Sequence, residues 1–183
     1  MSVSSIVKSG SIYTRQNQHV FRKPEVKDAV KIHALINACK PLAVNSVYSY
    51  LLLCQHFTDT CVVAEEEGEI IAFLSGYRLP SYQEVFFVWQ VAVDSRVRGG
   101  GIGKRMLCEV LQRTVCQDCR FIETTITRQN TASWHLFWAL ARDLEAHCEE
   151  KVYFSNEHFG QANQEAEYLL RIGPFNINLE GGS

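Results

Sequence analysis

The chain has 183 residues, 46% of them hydrophobic and 21% charged, which is material for one domain with its own core. Eighteen Lys and Arg against twenty Asp and Glu leave a net charge of −2, which excludes a strongly basic nucleic-acid surface as the working feature. Apolar runs such as residues 51–54 and 85–89 are too short to span a bilayer, and residues 1–18 carry no apolar core of a secretory signal.

Residues 1–18, rich in Ser, Gln and Asn, read as a flexible N-terminal segment, residues 19–175 as one domain and residues 176–183 as a tail. Residues 19–22 suit a short opening strand, and Pro24 fits the first turn of a helix. Val26, Ala29, Val30, His33, Ile36 and Asn37 follow a 3.6-residue period, so the spacing predicts a helix over 25–39, broken at Lys40-Pro41. Asn45 or Ser46 can cap a second helix running to Phe57. Residues 60–66 and 69–79 are β-rich runs parted by Glu67-Gly68, a hairpin signal. Residues 84–94 form a strand, apolar in part on both faces and therefore central.

Glycines at 99, 100, 101 and 103 then lead into an amphipathic helix carrying Ile102, Met106, Leu107, Val110 and Leu111. Residues 121–127 return to strand. Residues 131–147 are helical again, with Asn130 as the cap, and 152–154 and 165–172 are the last strands. The order describes a mixed central β-sheet flanked by helices, an α/β or α+β architecture.

The glycine-rich turn is the informative segment. A buried strand, Val91-Ala92-Val93-Asp94, enters it, and a helix leaves it. Glycine lets backbone approach a ligand, and a helix N-terminus offers unpaired N–H groups at the positive end of its dipole, so the turn suits a phosphate or pyrophosphate. A Walker A loop fails on spacing, with Arg105 where a hydroxyl belongs. A dinucleotide fingerprint belongs on the first strand of its domain, and this turn follows a late one. Arg98-Gly99-Gly100-Gly101-Ile102-Gly103 does match the pattern Arg/Gln-x-x-Gly-x-Gly/Ala in full.

With the strand before it and Asn130-Thr131-Ala132-Ser133-Trp134-His135-Leu136-Phe137 after it, this pattern resembles the GNAT acetyltransferases. Narrower strings resemble the L-2,4-diaminobutyrate acetyltransferases of ectoine biosynthesis over roughly residues 20–175. These are Asn45-Ser46-x-Tyr48, Phe87-Val88-Trp89-Gln90-Val91, Glu123-Thr124-Thr125 and Leu170-Arg171-Ile172-Gly173-Pro174. The resemblance implies the GNAT fold, acetyl-CoA as cosubstrate without a metal, L-2,4-diaminobutyrate as acceptor, and a homodimer. Seven cysteines, an odd number without an export signal, point to a reducing cytoplasm, and the charge balance and short apolar runs to no nucleic-acid or membrane partner.

By the same resemblance, Gln90, Val91, Ala92 and Val93 on the strand bind acetyl-CoA, with the pantetheine arm pairing along Val91 and Val93. Arg98, Gly99, Gly100, Gly101, Ile102, Gly103 and Lys104 hold its pyrophosphate, and Asn130, Ser133 and Phe137 add contacts. Ala43, Asn45, Ser46, Tyr48, Trp89, Glu165 and Glu167 are the expected acceptor contacts. A carboxylate pair two residues apart on a strand would suit an ammonium, and Trp89 a cation–π contact. Acetyl transfer also needs a base and a proton for the leaving thiolate. Glu123 is the candidate base and Tyr153 the candidate acid, with Tyr48 and Tyr168 as rivals. Two departures from the family stand out: Phe137 occupies the place of an acidic Tyr, and Ala43 that of an Asp.

Other signals carry less. Cys116-Gln117-Asp118-Cys119 is a single C-x-x-C without two further ligands at zinc spacing. No nucleophile elbow or metal-binding histidine pair appears, so direct attack of the amine on the thioester is expected. Two rival readings remain: the same fold acting on another amine, and a non-catalytic acetyl-CoA-binding module.

Overall fold

The β-rich runs on either side of Glu67-Gly68 and Pro80-Ser81 pair as an antiparallel meander. In the computed structural model, which describes residues 19–160 and 165–176, they are β2 (Val62–Glu66), β3 (Glu69–Leu79) and β4 (Tyr82–Val93). Glu67 and Gly68 both take positive φ, as the tight hairpin requires. β1 (Val20–Arg22) adds to the outer edge of β2. Arg22 holds this edge, donating to Asp28 at 2.6 Å and to Glu65 at 2.9 Å. The expected N-terminal segment and all but Asn176 of the expected tail lie outside the described residues.

The chain then crosses over. β4 is followed by α3 (Ile102–Leu111) and β5 (Phe121–Thr127), which lies parallel to β4. After α4 (Thr131–Asp143) come β6 (Cys148–Phe154) and β7 (Glu167–Ile172), a hairpin beside β5. The seven-stranded sheet has the order β1-β2-β3-β4-β5-β7-β6, with β4/β5 its one parallel pair among the described residues. It is the mixed α+β sheet that the alternation of elements predicts.

Each face carries its own core. Ile102, Met106, Leu107, Phe137 and Leu140 of α3 and α4 pack on Leu74, Phe86, Val88 and Ile122. On the opposite face α1 (Ala29–Ala38) and α2 (Val47–His56) bring Ile32, Ile36, Tyr50 and Leu53 against Val63, Phe73 and Ala92. Full burial of such side chains contributes about 1.5–3 kcal/mol each. Among the described residues no helix is long and apolar enough to cross a membrane.

Several boundaries differ from expectation. The first helix opens with a 3-10 turn, Val26–Asp28. The last helix ends at Asp143 rather than 147, because the chain turns at Glu145, with φ +51, into β6. β6 is seven residues long where the pattern shows only 152–154. It is exposed along its whole length, and its ladder to β7 needs no apolar alternation. Glu165 precedes β7 instead of lying in it.

One irregularity positions everything that follows. Gly76 pairs with Val88 and Ser75 with Gln90, so Trp89 is an extra residue, a β-bulge, in β4. A Cβ on Gly76 would stand 2.5 Å from the Phe86 ring and 2.6 Å from the Phe87 carbonyl oxygen. Gly76→Ala is therefore expected to cost roughly 1–3 kcal/mol in a denaturant titration, with Gly68→Ala, in open space, destabilised only by backbone strain.

Candidate active site

The parallel pairing of β4 with β5 runs only from Val85/Phe121 to Val88/Thr124. Beyond the bulge, residues 89–93 and 125–127 part, and the two strands splay. Antiparallel backbone groups alternate in direction, and Asp94 N–H bonds to Ile71 on β3, so the groups of residues 91 and 93 point away from β3. The Val93 carbonyl accordingly accepts from Arg98 Nε at 2.9 Å and from the Cys39 thiol at 3.4 Å. Val91 N–H and C=O and Val93 N–H face the opening.

That opening leads into a cleft of about 610 Å³. Its walls are residues 91–93 of β4, the turn at Arg98, Gly99 and Gly101, the first residues of α3, the face of α4 bearing Asn130, Ser133 and Leu136, and residues 39–42. Gly101 has φ +73 and Gly99 φ +84, left-handed conformations that glycine adopts without a steric penalty. No side chain caps α3, which leaves its N-terminal N–H groups for an anion. A Cβ on Gly103 would lie 3.3 Å from Leu136, so glycine there lets α3 sit close on α4. Lys104 pairs with Asp143, and Arg105 stacks on Phe21 at 4.6 Å, so neither cation is poised solely for a ligand.

The resemblance-based cofactor residues divide into two groups. Val91, Val93, Arg98, Gly99, Gly101, Ile102, Gly103, Lys104, Asn130 and Ser133 line the cleft, as does Ala92. Gly100 lies exposed in the same turn. Asn130 also caps α4, accepting from Ser133 N–H at 3.2 Å. Gln90 and Phe137 fall elsewhere. Phe137 is 2% exposed and belongs to the α3–α4 core, since its helical position faces the sheet. Gln90 faces α1 and α2 because the bulge turns it there, and its side chain is bonded to Tyr50 and Ala43.

Near the splay lie the expected acceptor residues of β4 and β7. Trp89 is the bulged residue itself and is 44% exposed. Burial pushes the Glu167 carboxyl up, a hydrogen bond from the Thr125 hydroxyl opposes this, and the charge of Glu165 adds to it. Tyr153 is 45% exposed, on the outermost strand. It lies near enough to Tyr77 to raise that phenol's pKa, after burial as the main cause. Tyr77 itself stacks on Phe87 with centroids 5.3 Å apart. Ala43, Asn45, Ser46 and Tyr48 form the α1–α2 connection and the start of α2, where Ser46 caps the helix and Tyr48 is 67% exposed.

Glu123 meets a different environment. It is 7% exposed and ion-paired with Arg171, whose guanidinium stacks 3.9 Å from the Phe121 ring centre. The pair lines a second cavity of about 310 Å³ with Glu149, Glu150, Lys151 and Leu169. A base role must compete with that guanidinium for the carboxylate. Sequence reasoning gave Thr125 no role beyond its place in a string and missed Tyr77 and Cys39, which enter through contacts between segments distant in the chain and leave no local pattern.

Residues 29–141 match the acetyltransferase (GNAT) family. The chain belongs to the GNAT acetyltransferase family. Among its GNAT relatives, the L-2,4-diaminobutyric acid acetyltransferase of Bordetella parapertussis is 48% identical over 155 residues, covering 84% of this chain and 83% of that protein. The enzyme of the same name from Chromohalobacter salexigens is 47% identical, over 84% and 80%. The solved structure of diaminobutyrate acetyltransferase EctA from Paenibacillus lautus, in complex with its substrate L-2,4-diaminobutyric acid and coenzyme A, superposes with a TM-score of 0.84. It is 41% identical, over 87% of this chain and 96% of that one.

The GNAT turn yields a direct test. Gly101→Ala has space for its methyl group but must hold φ +73 with a Cβ, a strain of about 1–2 kcal/mol per residue. Calorimetric titration with coenzyme A is expected to show several-fold weaker binding, with the loss concentrated in the phosphate-dependent, salt-sensitive part.

Proposed function

We propose that the chain transfers the acetyl group of acetyl-CoA to the γ-amine of L-2,4-diaminobutyrate, giving N-γ-acetyl-L-2,4-diaminobutyrate and CoA, a step of ectoine biosynthesis. The observation that carries this reading is the conjunction at one splayed strand pair. An uncapped helix end opens into the cleft on one side, and Glu167 at the start of β7, with Glu165 just before the strand, stands beside Thr125. The names of the relatives agree with it.

Acetyl-CoA is the donor substrate, and the cleft has the donor set that its phosphates require: N–H groups of the glycine turn and the α3 N-terminus. Val91 N–H, directed into the opening, is the group suited to polarise a thioester carbonyl. The acceptor amine attacks that carbonyl carbon, the C–S bond breaks, and the thiolate takes up a proton. Glu167 and Glu165 suit the acceptor's ammonium, with Trp89 as a cation–π surface. A carboxyl group held above its ordinary range can also take a proton from an amine more readily than an unperturbed one. Tyr153 is the proposed proton donor, while Phe137, buried and without a hydroxyl, has no such role.

A cytoplasmic homodimer completes the reading. The edge strand β6, with Val152, Tyr153 and Phe154 at 55, 45 and 41% exposure, supports a surface that a second copy would cover.

Release of CoA thiol from acetyl-CoA is measured against L-2,4-diaminobutyrate, ornithine, lysine, spermidine and a peptide amine, and the product is read by NMR. Turnover concentrated on diaminobutyrate and acetylation at the γ nitrogen are expected. Preference for another amine would discard the substrate assignment, and tight acetyl-CoA binding without turnover would support a non-catalytic module.

Glu167 sets a pH dependence. Its ionised form is the one that binds an ammonium, so kcat/KM is expected to fall as pH drops through a midpoint above the ordinary carboxylate range. Glu167→Gln should abolish that limb and lower kcat/KM by at least about tenfold. The folded pKa lies above the unfolded one, so the group's favourable contribution exists at low pH and is lost as pH rises through the folded pKa. The same substitution should therefore raise Tm at neutral pH.

A further inference from the structure

The α1–α2 connection forms one rim of the cleft at residues 39–42 and continues through Ala43, Val44, Asn45 and Ser46. Cys39 and Leu42 pack on the α1–α2 core and anchor the start of this rim, but Ala43 and Val44 are exposed, so apolar packing does not fix its continuation. Two buried side chains hold it. Gln90, 6% exposed, donates from Nε2 to the Ala43 carbonyl at 2.7 Å. Its Oε1 accepts from the Tyr50 hydroxyl at 3.3 Å, and that hydroxyl accepts from Asn45 N–H at 3.2 Å. The result is a closed ring of polar contacts around Ala43 and Asn45. Tyr50 is fully buried, so breaking either bond strands a polar group.

The bulge decides which way Gln90 points. Val88 packs in the α3–α4 core, and in an unbroken strand the residue two further on would face the same side. The extra residue, Trp89, reverses the alternation, and Gln90 reaches the α1–α2 side instead. One irregularity thus opens the strand toward the cleft, exposes Trp89, and aims Gln90 at the loop on the opposite face.

We propose that Gln90 and Tyr50 are positioning residues for the acceptor amine: their strap holds residues 43–46 at a fixed place against the bulged strand. The proposal rests on the reading of residues 43–46 and Trp89 as acceptor contacts. It replaces a direct cofactor role for Gln90, whose amide is spent on the loop.

Gln90→Met keeps the volume and removes both bonds, and Tyr50→Phe removes the hydroxyl alone. Each is expected to raise KM for diaminobutyrate roughly three- to tenfold, the effect of losing a buried hydrogen bond, while KM for acetyl-CoA stays within about twofold. The double variant should be no worse than the more severe single one, because the two groups act as a unit. A rise confined to KM for acetyl-CoA would return Gln90 to the cofactor site. A fall in kcat with both KM values unchanged would reduce the strap to a core contact, and either result overturns the proposal.

Hydrogen exchange tests the strap without turnover. The Asn45 amide should exchange faster in both variants than in the parent, and an unchanged rate overturns the proposal. Should the parent fail to acetylate diaminobutyrate, the functional reading falls. The exchange result, with KM for whichever amine is turned over, then decides the strap separately. If Gln90→Met does not fold, Tyr50→Phe carries the same measurements.

Discussion

The structure turns on one extra residue in one strand. Trp89 has no partner on β3, and from that point β4 leaves β5. Without the departure, Val91 would spend its backbone groups on a parallel neighbour, as residues 85–88 do. With it, those groups face a cleft whose other wall is a helix N-terminus. Gly76 permits the bulge because its partner strand passes so close that a methyl group would meet the Phe86 ring and the Phe87 carbonyl.

Around this feature the two cores have separate duties. The α3–α4 core holds the glycine turn: Ile102 is 2% and Met106 0% exposed, and Gly103 lies against Leu136, so the uncapped end of α3 cannot drift from β4. The α1–α2 core holds the opposite rim through Tyr50, itself edge-on to Phe73 at 6.4 Å. A ligand in the cleft would meet one wall from each core, and the sheet between them fixes their separation. The cost is concentrated at the site, where carboxylates and N–H groups are left without the partners that would maximise stability. Glu167, half-buried and with its charged form disfavoured by desolvation, is the clearest case.

The chemistry divides along the same line. The backbone of a strand and a turn suits a donor common to the GNAT family, because phosphates and a thioester can be met by N–H groups that any sequence supplies once the chain is folded so. The acceptor contacts we propose are side chains instead: Trp89, Glu165 and Glu167, with the loop to which Gln90 is bonded. Only this second set can distinguish one amine from another.

The sequence by itself determined the elements, their order and the glycine turn. Period, capping residues and glycine spacing are local, and Gly99, Gly101 and the cap residue Asn130 act within a few residues of where they stand. It also carried the family through strings around Asn45, Trp89 and Asn130. It did not determine the length of β6, whose ladder to β7 needs no apolar pattern, or the end of α4 at Asp143. Nor could it decide what Glu123, Gln90 and Phe137 do. Glu123 is answered by Arg171, 48 positions away, and Gln90 by Ala43, 47 away. Phe137 was settled by the face its helix turns to the sheet. Those outcomes depend on which strands become neighbours and on a single unpaired residue that reverses the faces of β4, and only the tertiary structure brings such partners within reach.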